Sequence, residues 1–166
     1  MEVIDEFLDS SQFESLHDFM MGEEMPWYFN SYVDYPAGDY RFIDDPDNYQ
    51  FVHNFYTIGK ETHSYLLSTL APIIEKINCN KLLRVKSNLN PRTSKHIKRA
   101  FHIDTDYKNT TSILYINTNN GWTEFEDGSK VESVENRMVV FDSRLKHRGV
   151  TCTDQKQRVL INFNYE

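Results

Sequence analysis

Two side chains in the stretch RAFHIDTDYKNTTSILYIN (residues 99–117) are of types that grip a metal: His102 and Asp104. Alone they decide nothing, because a histidine and an aspartate two apart often arise by chance. In an extended segment, residues i and i+2 point to the same side. His102 and Asp104 then face one way, and Phe101 and Ile103 face the other, to be buried in a sandwich or under helices. A buried carboxylate without a partner is costly, so Asp104 calls for a pocket, a partner or a cation. VVFDSRLKHRGV supplies a second histidine, His147, 43 residues after Asp104, behind an apolar strand and a short turn. Two neutral imidazoles and one carboxylate on one face form a facial triad. That set suits Fe(II), because about three coordination positions stay open, whereas a closed four-ligand zinc site leaves none. Open positions let a bidentate cosubstrate and O2 bind together.

A further charged group arrives in QRVLINFNYE. Arg158 follows His147 by eleven residues. By alternation Arg158, Leu160 and Asn162 share one face of a terminal strand, and Val159, Ile161 and Phe163 share the other. A guanidinium near a metal is a fork for a carboxylate, so a dicarboxylic cosubstrate would bind iron at one end and Arg158 at the other. In an earlier strand, Arg84, Lys86 and Asn88 alternate on one face. Of these, Lys86 and Asn88 are favoured to reach the cosubstrate or the substrate. His17, His53, His63 and His96 stand at no ligand spacing and read as ordinary surface or core residues.

These residues need a scaffold. Residues 11–21 read as a helix, with Ser11 and Glu14 as a capping box, Phe13, Leu16 and Phe19/Met20 as its apolar stripe, and Gly22 as its end. The Pro-, Gly- and Asp-punctuated stretch that follows reads as loops and short extended pieces pinned by aromatics. Residues 60–78 read as a second helix, which Pro72 kinks or splits. From Leu82 onward the period changes. LLRVKSNL, AFHID, TTSILYIN, GWTEFE, KVESV, RMVVFD, HRGVT and RVLINFNY are β-branched or aromatic runs separated by turn residues. Such closely spaced short strands predict a sandwich or jelly roll. The expected fold is α+β and mainly β: one domain over 1–166, with a helical and loop support layer at 1–80 and a jelly-roll core at 81–166.

At this point the text resembles a known family. His-x-Asp, a distant His and an Arg about ten residues later look like the Fe(II)/2-oxoglutarate-dependent oxygenases, of which the flanking segments resemble the prolyl-4-hydroxylase-like branch. SILYIN is similar to that branch's Tyr-Leu-Asn strand. NNGWTEF resembles its Gly-Gly-x-Thr-x-Phe strand, with Asn120 for the first Gly. NRMVVFDSRLKHRGV resembles its Gly-x-hydrophobic-Phe…His segment, with Asn136 in the turn. Asn tolerates left-handed turn geometry better than most residues, so both exchanges are compatible with the pattern. The resemblance implies that His102, Asp104 and His147 bind Fe(II), and that Arg158 pairs with the distal carboxylate of 2-oxoglutarate. It also implies that the Tyr115 hydroxyl bonds the same carboxylate and that Thr123 lines the cosubstrate pocket. The implied activity is hydroxylation of a C–H bond in a peptide side chain, an amino acid or another small molecule, using O2 and releasing succinate and CO2.

Two other readings compete. A cupin-like metal-binding isomerase or sensor usually carries three or more His with a Glu and lacks the late Arg. An oxygenase-like binding module without activity is opposed by the intact ligand set. A nucleic-acid dealkylase is disfavoured, because that branch places a second Arg six residues after the first and this chain has Asn164 there.

Composition agrees with a globular, aromatic-rich domain. Aromatic residues make up 14% of the chain, and no apolar run approaches the length of a membrane helix. MEVIDEFLDS has no basic-then-apolar leader pattern, and two cysteines without motif spacing suit a reducing cytoplasm. Charge is unevenly placed. Residues 1–50 hold thirteen acids and one base, whereas 81–99 hold seven bases and no acid. The latter segment reads either as a balance to the acidic layer or as a basic rim for an anionic ligand.

Overall fold

The computed structural model describes residues 1–60 and 64–166. Its elements are β1 (Glu2–Ile4), α1 (Ser10–Met21), β2 (Tyr28–Asn30), β3 (Gln50–Thr57), a 3-10 turn (Tyr65–Leu70), α2 (Ala71–Ile77), β4 (Leu82–Pro91), β5 (Thr110–Tyr115), β6 (Trp122–Phe125), β7 (Lys130–Glu132), β8 (Met138–Asp142), β9 (His147–Val150) and β10 (Gln157–Tyr165). A seven-stranded antiparallel sheet runs β1-β8-β5-β10-β4-β3-β2, and a smaller sheet runs β7-β6-β9. The two sheets face each other as the jelly roll, or double-stranded β-helix, expected from the strand pattern.

Alternation along β10 sets the two interiors. Val159, Ile161 and Phe163, all fully buried, join Val85 of β4, Leu114 of β5 and Met138 of β8 against Phe13, Leu16 and Met20 of α1 and Ile73 of α2. Residues of the opposite parity turn toward the small sheet. There Ile113, Tyr115, Phe125, Val131, Val139, Phe141 and Leu160 close one end of the sandwich. Each fully buried large apolar side chain contributes about 1.5–3 kcal/mol, so the helical layer anchors the wall that carries the polar face. That polar face belongs to the other end, which stays open.

Several expectations change in detail. Residues 1–80 are not only helices and loops: they add β1, β2 and β3 to the large sheet. QFVHNFYT of β3 hides its period behind Gln, His and Asn, and a register shift between Asn54 and Tyr56 breaks the alternation. The second helix is divided into the 3-10 turn and α2, with Pro72 in the first turn of α2 and a left-handed Asn78 closing it. The start expected at 60 falls partly on residues 61–63, outside the described residues. α1 begins at Ser10 with Asp9 at its cap position and no side-chain cap bond, so Ser11 is not the cap.

AFHID is not a strand. It is an extended stretch joined to β9 through the single residue pair His102 and His147. Ile103 is consequently exposed rather than buried, and half-buried Phe101 lies under the Arg148 guanidinium, 4.1 Å from its ring centre. The face opposite His102 and Asp104 meets solvent and loop, not a core.

Candidate metal centre

His102 and His147 exchange both backbone hydrogen bonds, each 3.0 Å. Residues paired this way across antiparallel segments project their side chains from neighbouring points on one face. Their ring centroids lie 4.5 Å apart. Two residues further on, the Asp104 N–H donates to Ser143 O, which brings the carboxylate alongside. One ligand atom each from His102, Asp104 and His147 lies within 4.8 Å of the others, so the three residues singled out from sequence converge.

Hydrogen bonds already orient each of the three. His147 Nδ1 is 2.9 Å from Leu145 O, which fixes the proton on that nitrogen and leaves Nε2 as a lone-pair donor. Its ring packs edge-on against Phe141. Burial first, and the neighbouring His102 second, push His147 down to about 4, so it is neutral at physiological pH. Asp104 Oδ1 accepts from Arg84 Nη2 at 3.2 Å, and Oδ2 accepts from Thr111 Oγ1 at 2.7 Å and Asn164 Nδ2 at 3.1 Å. Burial alone would raise this acid, but His147, Arg84 and the Thr111 hydroxyl outweigh it and hold Asp104 at about 2. The carboxylate is thus charged and ready to bind a cation without losing a proton.

Sequence reading missed the groups that support His102. Asp34 Oδ1 sits 3.3 Å from His102 Nδ1, and its side chain is only 10% exposed. Asp34 lies in a loop between β2 and β3 held at both ends: Val33 O accepts from Gln50, and the Tyr35 hydroxyl donates to Phe101 O. A carboxylate on Nδ1 holds the ring in the tautomer that presents Nε2. Asp34→Ala is expected to weaken Mn(II) binding by about 10- to 100-fold while leaving the fold intact, read by metal titration and circular dichroism. No spacing rule points from Asp34 to His102, because the contact joins two irregular segments. Arg84 was legible by parity as sharing a face with Lys86 and Asn88, whereas Asn164 was not singled out for this role. Lys86 and Asn88 share that face and line the same cavity, as does Asn162.

A second cluster lies on the cavity wall. Arg158 is 2% exposed, and its Nε donates to Ser133 Oγ at 2.8 Å while Nη2 donates to Thr123 Oγ1 at 3.1 Å. The Tyr115 hydroxyl donates to the same Thr123 oxygen at 2.8 Å. Thr123 therefore accepts twice, and its own O–H remains to donate. Among the described residues no carboxylate pairs with Arg158, and burial, the dominant influence, depresses its affinity for its proton. An enclosed cation with donors gathered around it suits an anion. Ser133 was not singled out from sequence. The exchanges noted there differ in effect: Asn136 does adopt a left-handed φ of 58°, whereas Asn120 ties down the 153–154 turn through its side chain and N–H.

Gly121 makes room for this cluster. A Cβ there would stand 2.8 Å from Val150 O and 2.9 Å from Arg158 Cδ. Gly121→Ala is expected to cost about 1–3 kcal/mol by overpacking, measured by urea unfolding, and to displace Arg158.

Of the remaining histidines, His53 bridges Pro26 O and Ser64 Oγ, His96 bonds Thr151 O, and His17 is away from the cavity. His63 lies outside the described residues. The basic segment is partly paired and partly turned to the cavity, which Arg84, Lys86 and Arg99 line. Lys98 pairs with Glu124, and Arg99 is buried against Asp47 O and Asn48. Both cysteines are unpaired, and no helix among the described residues is long and apolar enough to cross a membrane.

No family model matches the chain, and no curated protein matches it in sequence. Solved structures do match. A 2OG-Fe(II) oxygenase family oxidoreductase from Burkholderia pseudomallei superposes with a TM-score of 0.64 at 10% identity, covering 98% of this chain and 84% of that one. A prolyl hydroxylase from Trichoplax adhaerens, solved with a hypoxia inducible factor peptide fragment, gives 0.59 at 17% identity over 99% of this chain and 82% of the other. A Pseudomonas putida prolyl-4-hydroxylase gives 0.56 at 17% identity, with coverages of 99% and 91%. Identities this low carry architecture, not chemistry: the chain has the double-stranded β-helix fold that these oxygenases use.

Proposed function

We propose that the protein is an Fe(II)- and 2-oxoglutarate-dependent dioxygenase, acting as one unit over residues 1–166. One observation carries this reading. A buried guanidinium with no carboxylate partner among the described residues shares a cavity with two histidines and an aspartate that are already oriented, so the cavity offers a metal grip and an anion grip together. A cupin-type sensor needs only the first.

His102 and His147 would hold the iron through Nε2, and Asp104 through a carboxylate oxygen. Arg158, the free Thr123 proton and a rotated Tyr115 hydroxyl would receive the distal carboxylate of 2-oxoglutarate. Bound iron supplies O2 activation at the open positions of the triad. The reaction would consume one C–H substrate, one O2 and one 2-oxoglutarate. It would yield one C–OH product, one succinate and one CO2, with one oxygen atom entering the product and the other entering succinate. The protein's part is to orient the two acids of the cosubstrate, keep His147 neutral and Asp104 charged, and shield the reacting centre from water.

The substrate class at this level is a peptide side chain or a small molecule. In the Trichoplax enzyme the bound partner is a peptide fragment. The test is anaerobic 2-oxoglutarate binding to the Fe(II)-loaded protein, followed by O2-dependent succinate release. Binding and release support the reading; a wild-type chain that takes up no 2-oxoglutarate overturns it.

A further inference from the structure

Beyond the triad and Arg158, the lining of the same cavity continues onto β3 and β4 as a lobe. Much of its wall is polar. Gln50, Lys86, Asn88, Asn90 and Arg99 line it together with Asp34. Four buried side-chain polar atoms lack a hydrogen-bond partner among the described residues: Asn88 Oδ1, Asn162 Oδ1, Arg99 Nε and Trp122 Nε1. Three of those four residues line this one cavity. Buried polar atoms are normally satisfied, so their convergence marks a place where a polar ligand completes the set.

Charge narrows the ligand. Arg84 is paired with Asp104, and Arg158 faces the distal-carboxylate site. Asp34 is held to His102, with Arg99 nearby. Lys86 is left half-buried without a direct ion pair among the described residues, and burial first, then Arg84, push it down to about 8. Asp34 and Asp104 act on Lys86 only through space, so an anion brought in from outside would give it a direct partner. Asp34 contributes the opposite charge to the same lobe. The cavity holds only about 290 Å³. That is at the small end of the roughly 300–1,000 Å³ usual for ligand sites, and a cosubstrate would share it.

We infer that the substrate is a small free amino acid, its carboxylate held by Lys86 and Arg99 Nε and its ammonium donated to the Asn88 amide oxygen on the Asp34 side of the lobe. This rests on the oxygenase reading, because the lobe is a substrate site only if the triad and Arg158 hold iron and cosubstrate. A residue inside a peptide has lost both charges. It would close Lys86 off from water without a counter-ion.

The experiment uses the full chain loaded anaerobically with Mn(II), in two titrations. The first adds 2-oxoglutarate. The second adds the standard free amino acids to the 2-oxoglutarate complex, each beside its N-acetyl amide. The expected result is binding of one or a few free amino acids, at least about ten-fold tighter than their capped forms. Lys86→Met should weaken that binding by about ten-fold or more, and Lys86→Arg much less, with the 2-oxoglutarate Kd moving less than about three-fold in either variant. Three outcomes overturn the proposal. Capped forms bind as well as free ones, or no free amino acid binds the 2-oxoglutarate complex, or Lys86→Met weakens 2-oxoglutarate instead. No uptake of 2-oxoglutarate in the first titration overturns the oxygenase reading itself, and this proposal with it.

Discussion

Arg158→Met is expected to move cosubstrate affinity and stability in opposite directions. In the wild type the guanidinium is 2% exposed and has no carboxylate opposite it among the described residues. Its desolvation is therefore uncompensated until an anion arrives. Removing one member of a buried charge pair costs about 3–5 kcal/mol, so the Kd of 2-oxoglutarate should rise by about 100-fold or more. Without the cosubstrate the balance reverses. Met fills much of the same volume and carries no charge, and such exchanges are neutral or stabilising by about 1–4 kcal/mol. Ser133 and Thr123 lose a donor but can turn their hydroxyls to other partners. The measurements are isothermal titration with the Mn(II) protein and urea unfolding without ligand. A variant that loses more than about 1 kcal/mol of apo stability would show that Arg158 is a structural strut and not a waiting cation.

Asp104→Asn is the second large effect, and its pH dependence is its signature. Its surroundings hold this acid down at about 2 in the folded chain, against 3.8 for a free aspartate. A carboxyl depressed by folding contributes stability that is fully present above its unfolded pKa and is lost as pH falls through the folded one. The window therefore runs from about 4 down to about 2, and a shift of this size corresponds to about 2 kcal/mol. Asn cannot serve Arg84, Thr111 and Asn164 at once, because one of its two atoms is a donor. The variant should be less stable than wild type by about 2 kcal/mol near neutral pH, with the gap narrowing toward about pH 3. Mn(II) affinity should drop by more than about 100-fold, exceeding what loss of a supporting group such as Asp34 produces. Equal metal binding by wild type and variant would remove Asp104 from the ligand set.

The part of this site that was legible in the sequence is the part that rests on alternation. Parity along β10 separates Arg158, Leu160 and Asn162 from the helix-facing Val159, Ile161 and Phe163, and the structure keeps that division. Parity also places Arg84, Lys86 and Asn88 on the cavity side of β4. His102 and Asp104 do share a side, though for a different reason than a strand: one reciprocal pair with His147 fixes the first, and a bond to Ser143 fixes the second. Local β propensity could not reveal that AFHID has no neighbour to pair with beyond that point. Asp34 was invisible for a related reason. It stands 68 residues before His102 in a loop without period, and only the folded chain brings the two together. The strand β3 was obscured by its own polar residues, which lie inside the protein: Gln50 and His53 are both buried.

The order of strands in the large sheet has a consequence for life at high concentration. β4 is ten residues long, and without β3 and β2 it would be a bare edge ready to template pairing with another chain. On the opposite flank β1 covers β8 in the same way. The strands that finish the sheet, β1 and β2, have only three residues each, too short to offer a long ladder to a neighbour. Both come from the first fifty residues, where thirteen acids meet a single base. Two copies approaching edge to edge would thus bring like charge against like charge. The acidic third of the chain thus supplies both short edge strands as well as the Asp34 that supports His102.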